Sequence, residues 1–102
     1  MITKDKVLEE LKMVVDPELD VNIVDLGLIY GIDIDQRLGE VLITMTLTSP
    51  GCPLSAVFSE WVPTAVKKIK GVKKARVNLV WEPAWDPDKM SDEIKEQLGI
   101  IR

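Results

Sequence analysis

Two runs of strict polarity alternation lie on either side of one short turn, and together they leave the chain few architectures. In the first, Leu28, Tyr30, Ile32 and Ile34 alternate with Ile29, Gly31, Asp33 and Asp35. In the second, Val41, Ile43, Met45 and Leu47 alternate with Leu42, Thr44, Thr46 and Thr48. A period of two belongs to half-buried strands and not to helices. The intervening Asp35-Gln36-Arg37-Leu38-Gly39 predicts a hairpin turn with Gly39 in a left-handed conformation. A third run places Ala75, Val77, Leu79 and Trp81 on one side and Arg76, Asn78, Val80 and Glu82 on the other. Clean alternation means one covered sheet face and one wetter face. The expected fold is therefore a two-layer α/β (α+β) domain: a three-stranded mixed sheet with helices on one face, in the order α-β-β-α-β-α.

The helices are read from a longer period. Val7, Leu8, Leu11, Val14 and Val15 form one apolar stripe, with Thr3 as N-cap and Asp16-Pro17 ending the helix. The acidic residues Asp16, Glu18, Asp20 and Asp25 then fall in a polar loop before Leu26-Gly27. A second helix is expected from Pro53 to about Lys70, burying Leu54, Val57, Phe58, Trp61, Ala65 and Ile69, with Gly71 just past its end. Pro63 lies inside it and predicts a kink. A short last helix carries Met90, Ile94 and Leu98 and stops at Gly99.

With 102 residues and no repeat or linker, the chain reads as one domain, residues 1–102. No run approaches a membrane span, and the N-terminus lacks a hydrophobic signal region, so a cytoplasmic location without membrane attachment is expected. A single cysteine allows no intrachain disulfide, in keeping with a reducing compartment. The net charge of −4 argues against nucleic acid as partner. There is no histidine, which removes the commonest general base and a Cys–His or Ser–His–Asp machine within one chain. One thiol also cannot hold a tetrahedral zinc site or a four-thiolate cluster alone. No permanent cofactor is expected.

Cys52 is the residue with the most chemistry. It lies in Thr48-Ser49-Pro50-Gly51-Cys52-Pro53, between a threonine-striped strand and the second helix. With Pro53 as first helical residue, Cys52 becomes the N-cap, and the free amides and positive helix end favour a thiolate. The same placement also suits a small apolar filler. Thr46 and Thr48 lie nearest the cysteine and offer hydroxyls, whereas Thr44 reads as a solvated-face residue. Asp16 and Glu18 read first as turn-capping and solvated acids, and otherwise as hard ligands or an acid–base pair beside Cys52. Trp81 and Trp85 read as core residues of a C-terminal clasp or as exposed partner anchors; Tyr30 reads as an inward-facing structural residue.

Four ordered segments carry more together than singly: Asp16-Pro17-Glu18, Val24-Asp25-Leu26-Gly27-Leu28-Ile29-Tyr30, Thr46-Leu47-Thr48-Ser49-Pro50-Gly51-Cys52-Pro53 and Trp81-Glu82-Pro83-Ala84-Trp85. In this the chain resembles the SufT/PaaD-like family of metal–sulfur cluster assembly proteins, over nearly its whole length. The departures are Pro63 in the second helix and Ala84 between Pro83 and Trp85. The resemblance implies an iron–sulfur cluster assembly domain-like fold and a non-enzymatic accessory role in assembling or transferring clusters to client proteins. By motif, it implies a site of Cys52, Asp16, Glu18, Thr46 and Thr48. Cys52 would be a transient ligand for iron or a cluster, its other ligands coming from a partner or a homodimer. Partners are then iron–sulfur client and assembly proteins. Two further readings stand beside this one: a metal-free adaptor that docks clients, and, ranked last, a thiol enzyme with Asp16 or Glu18 as base.

Overall fold

The computed structural model describes residues 1–17, 19–47 and 55–97. Its elements are α1 (Lys4–Leu11), β1 (Val15–Asp16), β2 (Val21–Asn22), β3 (Ile29–Asp35), β4 (Glu40–Met45), α2 (Ser55–Val66), β5 (Lys74–Leu79), a 3-10 turn at Pro87–Lys89 and α3 (Asp92–Gln97). The main sheet has the order β3-β4-β5. β3 and β4 form the antiparallel hairpin, and β4 and β5 run parallel, joined through α2 as a parallel pair requires. The mixed α+β architecture expected from the alternation is thus present.

Position in the sheet explains the burial. β4 is central, and its Val41, Ile43 and Met45 are buried while Leu42 and Thr44, pointing the other way, are half-buried. On β5, Ala75, Val77 and Leu79 pack against the core, and Arg76 and Asn78 are exposed. α2 closes the core face with Phe58, Val62, Ala65 and Val66, packing against both β5 and α1. α1 contributes Val7 and Leu11, starting at Thr3, whose side chain accepts from the Lys6 amide at 3.2 Å. The hairpin turn has the expected form: Gly39 has φ +67° and Asp35 Oδ1 accepts from the Leu38 amide at 3.0 Å. No helix among the described residues is long and apolar enough to cross a membrane.

Several sequence expectations shift. α1 stops at Leu11 and does not reach Asp16-Pro17. The amides of Met13 and Val14 bond back to Glu10 and Leu11, and the chain turns into β1. The supposed polar loop contains a two-stranded ribbon, with Val15 opposite Asn22 and Asp16 opposite Val21. Tyr30 is displaced from its inward position by a bulge between Ile29 and Gly31, which changes the phase of β3. Phe58, Ala65 and Ile69 are buried as the expected stripe requires, but Val62 is fully buried in place of Trp61, which is 44% exposed. The helix continues through Pro63, and Thr64 Oγ1 donates to the Glu60 carbonyl at 2.8 Å in the adjoining turn. Trp81 lies beyond β5 and is 40% exposed, neither in the strand nor in the core. Met90 precedes α3, and Leu54, Leu98 and Gly99 lie outside the described residues.

Candidate functional site

The strand end after β4 is held from both sides. The Thr46 amide donates to the Leu28 carbonyl at 2.9 Å, and the Val80 amide donates to the Met45 carbonyl at 2.8 Å. These bonds extend the sheet past Met45 and leave Thr46 1% exposed and Leu47 2% exposed. The Thr46 hydroxyl lies 3.5 Å from the Leu47 carbonyl, a long contact that fixes it weakly. Thr44 lies on the outer face opposite Gly31, half-buried and not fully solvated.

Asp16 occupies the end of β1. Its Oδ1 accepts from the Leu19 amide at 3.3 Å, and its carbonyl accepts from the Asp20 amide at 2.7 Å. Asp20 completes the turn with φ +57°, a conformation that aspartate tolerates better than most side chains. The turn-capping reading of Asp16 is therefore realised, yet the residue is only 4% exposed. Among the described residues, Asp16 and Thr46 are the buried side chains of polar type. Keeping such groups out of water is costly unless they are bonded, and a drier setting strengthens the bonds they make.

Glu18, Thr48 and Cys52 lie outside the described residues, as does the cysteine's expected place at the helix start; the described part of α2 begins at Ser55. Among the described residues, no group of three or more Cys, Asp, Glu or His is arranged to hold a metal ion. The two described site residues are thus placed as buried polar groups, Asp16 at the end of β1 and Thr46 just past the end of β4.

Sequence reasoning missed how residues 83–91 are fastened to Asp25, Leu26 and Tyr30, in the turn before β3 and at its start. The Trp85 indole donates to the Leu26 carbonyl at 2.7 Å, and the Ser91 amide donates to the Asp25 carbonyl at 2.8 Å. The Tyr30 hydroxyl donates to the Pro83 carbonyl at 2.8 Å. Lys89 Nζ donates to that hydroxyl at 2.8 Å and lies 4.2 Å from the ring centroid. The clasp reading of Trp85 holds, while Trp81 just outside it stays exposed. The one available signal was Gly27. An added Cβ there would meet the Lys89 carbonyl oxygen at 2.3 Å, so the clasp closes only over a glycine.

A small mixed-sheet domain with a buried acid on a ribbon and a buried threonine at the end of its central strand has known counterparts. Residues 4–79 match the family described as "Iron-sulfur cluster assembly protein". The chain is 47% identical over 97 residues to the "Fe-S protein maturation auxiliary factor YitW" of Bacillus subtilis, covering 95% of this chain and 94% of that protein. It is 42% identical over 88 residues to the "Fe-S protein maturation auxiliary factor SufT" of Staphylococcus aureus, covering 86% and 99% respectively. Among solved structures, the DUF59 domain from Bacillus anthracis superimposes with a TM-score of 0.88 at 38% identity, over 96% of this chain and 92% of that one. The chain belongs to the iron–sulfur cluster assembly protein family.

Proposed function

We propose that this protein is an accessory factor that helps assemble iron–sulfur clusters or deliver them to client proteins. The observation that carries the reading is similarity along nearly the full length of relatives named as iron–sulfur protein maturation auxiliary factors. In this reading the cluster or its iron is cargo, and Cys52 supplies one thiolate ligand for a short time. A recipient protein or a second copy completes the ligand set, because this chain has one cysteine and no histidine. Asp16, Glu18, Thr46 and Thr48 are the proposed neighbours, acting as hydrogen-bonding or hard-ligand groups around the bound sulfur and iron. The role needs no turnover by the chain itself and suits the reducing cytoplasm, where the thiol stays free.

Anaerobic reconstitution with iron and sulfide tests the cysteine. The wild-type chain is expected to gain a visible absorption band that Cys52→Ala loses, and cells carrying Cys52→Ala should show reduced activity of iron–sulfur enzymes. A folded Cys52→Ala variant that matures clients normally rejects the ligand role. Exposed Trp81 favours a second reading, a metal-free adaptor. Client capture that survives loss of Cys52 and fails in Trp81→Ala would select it.

A further inference from the structure

The charge of this chain is strongly segregated. Between Trp61 and Trp81 the sequence contains Lys67, Lys68, Lys70, Lys73, Lys74 and Arg76 and no acidic residue, in a protein whose net charge is −4. All six cations are exposed. Lys74 and Arg76 share the outer sheet face with Asp33, Asp35 and Glu40 around a shallow pocket, so their charge is partly answered. Lys67, Lys68, Lys70 and Lys73 form no ion pair with a described residue.

Lys68 of this run lines an open apolar groove, and Lys67, Lys70 and Lys73 follow or precede it within five residues of chain. One wall is Met13 and Val15, 73% and 37% exposed. The other is Trp61, Thr64 and Ala65 on one face of α2, continued by Lys68 in the turn beyond it. Trp61 is held edge-on against buried Phe58, with ring centroids 6.2 Å apart and an interplanar angle of 80°. A large aromatic surface is thus exposed beside the groove with one edge packed on the core, the kind of residue that anchors interfaces. The groove wall also includes Val15, the residue before buried Asp16.

We infer that the Trp61 groove docks an amphipathic helix of a partner protein whose apolar ridge is flanked by carboxylates. The ridge would fill the space between Met13 and Trp61, and the acids would meet Lys68 and the neighbouring lysines. A second copy of this chain fits less well. Two such faces would bring lysines together, and the chain's own acidic segment, with Asp92, Glu93 and Glu96 on α3, has its apolar residues Met90 and Ile94 buried. Nucleic acid would answer the charge but not the groove. The inference is independent of the cysteine reading, and its test contains no metal, so either one can fail alone.

The probes are two synthetic helical peptides of eighteen residues with the same leucine ridge, one flanked by glutamates and the other by lysines. They are titrated into the full chain, followed by tryptophan fluorescence and backbone amide shifts. The glutamate peptide is expected to bind at least about tenfold more tightly than the lysine peptide, with affinity falling as salt rises. Shifts should centre on residues 13–15 and 61–68. Trp61→Ala and the surface variant Lys67→Glu/Lys68→Glu should each weaken it by about tenfold or more. The double charge variant alters exposed residues only and decides the question if Trp61→Ala does not fold. Equal binding of both peptides, no binding, shifts elsewhere, or an unaffected charge variant overturns the inference. So does self-association of the free chain that Trp61→Ala abolishes, or an oligonucleotide that competes at the same residues.

Discussion

At the residue scale, Gly27 carries more of this structure than its size suggests. Its φ of +77° lies where a Cβ is strained, and the space a Cβ needs is already held by the backbone of Lys89. The two penalties add: a left-handed alanine costs about 1–2 kcal/mol and forced overpacking about 1–3 kcal/mol. Gly27→Ala should therefore lower unfolding free energy by about 2–5 kcal/mol in denaturant titration. Gly31→Ala is the control, because its added Cβ would lie 3.6 Å from Thr44 Cβ, an ordinary contact. It should cost under about 1 kcal/mol, and equal effects would sink the argument. Asp16 shows where sequence reading reaches its limit at this scale. Its turn-capping bond is local and was legible from Asp16-Pro17, whereas its burial depends on how the ribbon packs, which no local pattern encodes.

At the level of elements, periodicity found α1, the hairpin and β5 because their burial follows their own repeat. It failed where a single residue changes the phase. The bulge at Ile29 and Gly31 turned Tyr30 from a core residue into a fastening for the clasp. Trp61 and Val62 are adjacent and both apolar, so hydrophobicity alone could not choose which one α2 buries. β1 and β2 have two residues each, too short to show any period. The clasp depends on pairs more than fifty residues apart, such as Trp85 with Leu26. Trp85→Phe keeps an aromatic side chain but deletes that bond together with the smaller ring of the indole. It should destabilise by about 1–2 kcal/mol, measured as a shift in the urea midpoint without a change in slope. An unchanged midpoint would show that the indole bond contributes nothing.

At the scale of the whole molecule, the family match ends at residue 79, yet the core does not. Met90 and Ile94 are 4% and 7% exposed within the same apolar cluster as Val7 and Ile43. Burying each contributes about 1.5–3 kcal/mol, and the clasp bonds add about 0.5–1.5 kcal/mol each. Their sum is comparable to the ~5–15 kcal/mol that stabilises a typical domain. A chain ending at Leu79 should therefore lose most of its cooperative thermal transition. If 1–79 melts as sharply and as high as 1–102, the residues beyond Leu79 form an appendage and the single-domain reading fails.

The central place of β4 also sets a clock. It is bonded to a strand on each side, and its Ile43 and Met45 side chains are fully buried. Its amides can meet deuterium only when the entire sheet comes apart, while the two-residue β1–β2 ribbon needs only a local opening. Uptake at Ile43 therefore times global unfolding, and uptake at Val21 times the release of the acidic turn. The gap between those two rates measures how often Asp16 is uncovered while the rest of the protein stays folded.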